Sequence, residues 1–305
     1  MSDYEYESDG EIWEELASLP AVERGWSLLK LCQSAYSTQR FTYSLTLANS
    51  ALDHFKEVGD DLGLAHSEMY RAMCLETIHR GEEAAFAMRS AIALFTKLED
   101  QEQWNCRKML ARWLHRDNHL QEAAELVETM LLFNLYEMNL EAAAIDYLSL
   151  GKVYCDQDEC LKAINTFEKA LGIFKTEKCV PGVGDSEILM SRCYSHLKMA
   201  TAAERHARRA IAIFDSAGSV DKKAQSHSLL GRALNQQSRF SSALTELDVA
   251  LELIVSSESN NYHAIYQIQS HQVRSLEGLG NHGAAAELRS KNQVINETIR
   301  FVGDK

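Results

Sequence analysis

Five cationic side chains, Arg112, Lys152, Arg192, Arg232 and Arg274, recur along the chain at intervals of 40, 40, 40 and 42 residues. A guanidinium presents a planar fork that grips a carboxylate or phosphate at two points, and an ammonium adds a compact charge. Repeated at a fixed spacing, such groups suit an extended anionic ligand better than a single small ion. Other chemistries need spacings that are missing: a Gly-rich phosphate loop, a His-Glu-x-x-His metal pair and a nucleophile elbow are all absent. His115 and His119 stand four apart, but His119 is expected in a turn and no third ligand accompanies them. Cys155 and Cys160 lack the second ligand pair of a zinc site. The expectation is a binding protein without cofactor or metal, not an enzyme.

The elements that carry these cations must be helices. Two prolines, Pro20 and Pro181, and 15 glycines are all that punctuate 305 residues, so nearly everything between them can stay helical. A hydrophobic content of 46% supports a sizeable core, and no apolar run approaches the roughly 18 to 20 residues that span a bilayer. No membrane partner is expected. The start of the chain is acidic where an export or organellar signal would be basic and then apolar or amphipathic, which predicts a cytoplasmic protein. The seven cysteines are odd in number and fall mostly at helical positions, as reduced buried thiols do. With a net charge of -13 the chain is a poor general nucleic-acid binder, since phosphate affinity rests on clustered Lys and Arg. The regular Arg row lacks the stacking and hydrogen-bonding set that RNA-reading repeats use. The densest basic run, Arg205-His206-Ala207-Arg208-Arg209, is expected on a solvated helix face.

An internal repeat of about 40 residues organises the sequence. Tyr147-Leu148-Ser149-Leu150-Gly151-Lys152-Val153-Tyr154 is followed by Ala163, Phe167 and Ala170. With Gly151 as reference, the equivalent positions are Cys32, Ala72, Ala111, Ser191, Gly231 and Val273, small residues in all but the last. Small side chains there let two helices cross closely. Units end in similar phrases, such as Ala91-Ile92-Ala93-Leu94-Phe95 and Ala210-Ile211-Ala212-Ile213-Phe214. The pattern resembles the 40-residue branch of the tetratricopeptide repeat superfamily, which includes kinesin light chains, Leu-Gly-Asn-repeat polarity adaptors and bacterial peptide-pheromone receptors. The resemblance implies an all-α fold, a right-handed solenoid of about seven antiparallel helix pairs over residues 24–295. Residues 1–10 are expected as an acidic disordered tail, 11–23 as a capping helix with Trp13, Leu16 and Leu19 on one face, and 296–305 as a C-terminal tail.

The resemblance also implies that the first helix of each pair lines a concave groove. Its inward positions lie one, four and five residues after the reference and three and six before it. The position one after reads Gln33, Met73, Arg112, Lys152, Arg192, Arg232 and Arg274. Other inward offsets add Lys108, His115, Arg116, His196 and Asn235, against acidic Glu76, Asp156, Asp185 and Glu277. In the first two units the set is apolar or aromatic: Trp26, Leu29, Tyr36, His66, Met69 and Met73. The candidate ligand-binding residues are thus Lys108, Arg112, Arg116, Lys152, Arg192, Arg232, Asn235 and Arg274, with Trp26, Leu29, Tyr36, Met69 and Met73 at an apolar end. A competing reading makes the row a ladder of salt bridges with Asp156 and Asp185 as partners.

The function these features imply is a scaffold or adaptor that binds an acidic or phosphorylated segment of a protein or peptide partner. The alternative is a peptide-sensing regulator of the bacterial receptor type. Seven acids among the first fifteen residues, interleaved with Tyr4, Tyr6 and Trp13, also suggest an intramolecular competitor, since a tethered segment has a high effective concentration. A solubilising tail is the other reading of that segment.

Overall fold

The computed structural model describes residue 14, residues 16–257 and residues 261–303. Among the described residues fourteen helices follow the turn at Leu16, and within each unit consecutive helices pack against one another. They are α1 (Ala21–Ser37), α2 (Phe41–Val58), α3 (Asp61–Thr77), α4 (Gly81–Lys97), α5 (Glu102–Arg116), α6 (Leu120–Tyr136) and α7 (Leu140–Asp156). Then come α8 (Cys160–Thr176), α9 (Val180–His196), α10 (Ala200–Ala217), α11 (Val220–Gln236), α12 (Phe240–Ser256), α13 (Tyr262–Gly278) and α14 (His282–Gly303). No strand occurs among the described residues. The chain divides into two compact units, one ending at Met130 and one beginning at Leu131.

The turns repeat as faithfully as the helices. Where α7 ends, Asp158 takes a left-handed φ of 61°, Glu159 N donates to Tyr154 O at 2.8 Å and Asp158 N to Cys155 O at 3.1 Å. This pair of bonds satisfies carbonyls that the last helical turn leaves open. Lys198 (φ 60°) after α9 and Ser238 (φ 59°) after α11 do the same, with Met199 N on Tyr194 O and Arg239 N on Leu234 O.

Within a pair, the small reference position meets a large residue of the second helix. A Cβ built on Gly151 would lie 2.3 Å from Phe167 Cε1, and one on Gly231 2.5 Å from Leu247 Cγ. Phe55, Phe95, Phe167 and Leu247 are fully buried, each burial favouring the fold by roughly 1.5–3 kcal/mol. One helix pair cannot cover its own apolar face, so neighbouring pairs stack and the core runs along each unit. At the start of the first unit Leu16 joins the core of α1 and α2. Arg24 donates from Nε to Leu16 O at 2.9 Å and from Nη2 to Ala17 O and Leu19 O, which closes the turn before α1. Residues 1–13, with the acidic tail and Trp13, lie outside the described residues. Helix α14 continues past position 295 to Gly303.

The basic run 205–209 does not lie wholly on a solvated face. His206 is buried, its Nδ1 2.6 Å from Glu187 Oε2 and its ring stacked on Tyr194. Arg208 and Arg209 remain outside, beside Glu204 and Glu187.

Candidate anion-binding site

In the first unit, helix α5 presents Lys108, Arg112 and Arg116, all exposed. Arg116 is engaged: Nη1 donates to Glu76 on α3 and Nε to Asp117 Oδ1 at 2.8 Å, and these two carboxylates hold its pKa above the ordinary guanidinium value, Asp117 contributing most. The apolar candidates divide between surface and core. Trp26 packs edge-on against Phe55 and His66, with ring centroids 5.2 and 5.7 Å away. Tyr36 lies edge-on to Phe41, its hydroxyl 3.4 Å from Thr77 Oγ1, and Met73 is half-buried. Leu29 and Met69 are correct only as apolar residues: at 4% and 9% exposure they are core, not groove wall. At the same position three before the reference, Leu148 and Ile188 are also buried, whereas Lys108 is exposed and Ser228 half-buried.

In the second unit the cations occupy successive first helices: Lys152 on α7, Arg192 on α9, Arg232 on α11 and Arg274 on α13. Lys152 and Arg274 are exposed, Arg192 and Arg232 half-buried. No ion pair engages any of the four among the described residues. The salt-bridge ladder with Asp185 is not what forms, because Lys222 Nζ lies 2.8 Å from Asp185 Oδ1. Asn235 is a correction to the ligand set. It is buried, its Nδ2 donates to His271 O at 2.9 Å, and its Oδ1 accepts from Ser275 Oγ at 2.8 Å. Its amide joins α11 to α13.

Arg192 and Arg232 open onto a cleft of about 700 Å³ between α9, α11 and α13, whose wall includes His196, Lys222, Gln225 and His271. The electrostatics of the cleft are those of crowded cations. Desolvation first, then repulsion from Arg192 and Arg274, lowers the Arg232 pKa below the ordinary guanidinium value. Lys152 is shifted down by desolvation as well, with Asp185 opposing and Lys222 and Arg192 assisting. Burial, and then Arg232 and Arg274, push His271 down to about 4, so its imidazole is neutral at pH 7. His196 is lowered for the same reasons, burial first and then Arg232 and Arg192. Such a cleft favours a bound anion at Arg192 and Arg232, which have no ion-pair partner among the described residues, whereas Lys222 is engaged by Asp185 and Asp221 adds one acid to the wall.

Four further wall residues were within reach of the repeat register. His196, Gln225, Ser228 and Gln267 occupy inward offsets, five after, six before or three before their references, and all four line the cleft. Lys222 and His271 fall off that stripe. They reach the cleft through the packing of neighbouring first helices, which leaves no signal at a fixed spacing.

No family model matches the chain, and no curated protein matches it. Solved structures do. The apo form of RapI superposes with a TM-score of 0.69 at 14% identity, covering 90% of this chain and 98% of that one. A signal transduction ATPase with a tetratricopeptide repeat sensor, PH0952 from Pyrococcus horikoshii, gives 0.70 at 13% identity, covering 92% of this chain and 43% of that one. A Rap protein complexed with competence and sporulation factor gives 0.57 at 14% identity, covering 95% and 79%. At these identities the likeness is one of fold. The helix pairs, their register and these superpositions together identify the fold of this chain as that of tetratricopeptide repeat proteins, with no subfamily singled out.

Proposed function

We propose that the second unit is a protein-interaction module that takes an extended segment bearing acidic or phosphorylated residues across α9, α11 and α13. The observation that carries this reading is the cleft with Arg192 and Arg232 on its wall, both half-buried and both without an ion pair among the described residues. A half-buried guanidinium without a counter-charge is unfavourable, and an incoming carboxylate or phosphate relieves it with bidentate hydrogen bonds. That this patch persists on a chain of net charge -13 favours a ligand that the rest of the surface repels and the cleft attracts. The fold supports the reading, since a Rap protein of the same architecture was solved with a bound factor.

The test is fluorescence anisotropy with labelled extended peptides in acidic, phosphorylated and neutral series. The acidic and phosphorylated series should bind, weaken as salt rises, and be lost in the Arg192→Glu plus Arg232→Glu variant. Retention of all three series by that variant would reject the cleft. The acidic segment at residues 1–10 lies outside the described residues, and as a separate synthetic peptide it belongs in the acidic series. If it competes within the intact chain, deleting residues 1–10 tightens binding of the other peptides. Unchanged affinity would leave it a solubilising tail.

A further inference from the structure

Of the seven cysteines, three belong to neighbouring parts of the second unit: Cys155 near the end of α7, Cys160 at the start of α8 and Cys193 on α9. Cys155 Sγ and Cys193 Sγ stand 2.6 Å apart although 38 residues separate them in sequence. The repeat explains the meeting. Cys155 lies four after Gly151 and Cys193 two after Ser191, so stacking of α7 against α9 turns both toward the same seam. The two thiols are not equivalent. Cys193 is fully buried within the core of this region, whereas Cys155 is half-buried.

The surroundings of Cys155 favour its thiolate. The hydrogen bond with Cys193 and then the Arg192 guanidinium lower its pKa against the opposing effect of burial, while Cys193 is shifted upward by the same contact and by burial. One partner is thus the readier nucleophile and the other the held thiol. The first unit supplies an internal comparison. Cys32 and Cys74 also hydrogen-bond each other, but both are fully buried, and the Ser44 hydroxyl lies 3.2 Å from each sulfur.

We propose that Cys155 and Cys193 form an oxidation-sensitive dithiol that closes to a disulfide when the protein meets a peroxide. The Cys155 thiolate attacks the peroxide, the O–O bond breaks, and the leaving oxygen departs as water or alcohol after taking up a proton. Cys155 is then a sulfenic acid. The Cys193 sulfur attacks that sulfur, the S–S bond forms as the S–O bond breaks, and hydroxide leaves with the Cys193 proton as water. The two thiols together lose two electrons and the peroxide gains two. The bridge would join α7 to α9 beside Arg192, which ties the redox state of this pair to the helices that present Lys152 and Arg192.

The test is a thiol map of the full chain before and after hydrogen peroxide, with alkylation, digestion and mass spectrometry. A peptide linked through Cys155 and Cys193 should accumulate, two of the seven thiols should lose alkylation, and dithiothreitol should restore both. Cys32 and Cys74 should remain alkylated after denaturation. In Cys193→Ser, Cys155 should stop at a sulfenic acid trapped by dimedone, and in Cys155→Ser the bridge should vanish. The proposal is overturned if Cys155 and Cys193 stay fully alkylated, or if the bridge that forms joins Cys155 to Cys160 instead. The wild-type map decides this even if a variant fails to fold.

Discussion

In the first unit the cations are largely answered. Arg71 pairs with Glu68, Arg89 with Glu122, Lys97 with Asp61, and Arg116 with Glu76 and Asp117. In the second unit Lys152, Arg192, Arg232 and Arg274, which share the register of Arg112 and not that of Arg116, stand without ion pairs among the described residues, while Lys222 and Lys223 are paired with Asp185 and Asp215. The difference sits four residues after the reference. There the second pair carries Glu76, which reaches Arg116 on the next first helix, the pairs around the cleft carry Cys155, Ser195 and Asn235, and the last pair carries Glu277, which engages Arg289 on its own second helix. A repeat thus fixes where a cation emerges, and the neutral or acidic neighbour decides whether that cation remains available to a ligand.

This comparison requires that the two units share one packing logic. Phe95→Ala in the first and Phe167→Ala in the second should each destabilise the fold by about 3–5 kcal/mol, since both rings are fully buried and their removal leaves a cavity. Chemical denaturation followed by circular dichroism measures this. A cost below about 1 kcal/mol in one unit alone would show that the cores are not equivalent. Next in size is the charge reversal Arg192→Glu plus Arg232→Glu, which should weaken an acidic peptide by roughly a hundredfold, about 2.7 kcal/mol. Charge reversal of a paired cation in the first unit, Arg116→Glu, should leave peptide affinity within about twofold of wild type. Equal losses from both changes would erase the distinction between the units.

How far the sequence shows this follows from what a repeat encodes. Helix pairs were legible, because small residues at Gly151 and Gly231 must face Phe167 and Leu247, and that demand recurs in phase. The surface row at Lys152, Arg192, Arg232 and Arg274 was legible for the same reason, since one register position points one way in every pair. What the register could not show is contact between neighbouring first helices. Asn235 shares an inward offset with Tyr36 yet is captured by α13, because Ser275 and the His271 carbonyl fall within its reach. Leu29 and Met69 sit on the expected stripe, but both are buried in the core. The Lys222 and Asp185 pairing and the Cys155 and Cys193 contact likewise depend on side-chain reach across a seam, which a one-dimensional spacing does not carry.

The crowded cations of the second unit also leave a pH signature, at His271. His271 takes up its proton near 6.5 in the unfolded chain but only at about 4 in the fold. As pH falls through that interval the unfolded state binds more protons, so the fold loses stability, and the contribution is absent above about pH 6.5. His271→Gln should therefore flatten the stability profile between pH 6.5 and 4 by about 1–2 kcal/mol, as measured by denaturation at each pH. A profile that superposes on wild type would mean that the cleft does not hold this imidazole neutral.

The smallest effect is the most pointed, because it converts the first unit toward the second. Glu76→Gln replaces the acid at the decisive offset with a neutral group of the same shape. Arg116 is more than half exposed while Glu76 is largely covered, and Asp117 still holds the guanidinium at 2.8 Å. The loss of one partially exposed pair should thus change stability by less than about 1 kcal/mol, within a few degrees of melting temperature. If the offset governs availability, the same variant should also gain measurable affinity for a phosphorylated peptide that Arg192→Glu plus Arg232→Glu has abolished elsewhere, when all three substitutions are combined. A loss of more than about 2 kcal/mol would instead mark Glu76 as a structural partner, and the neutral offset in the later pairs would then need a stability explanation rather than a functional one.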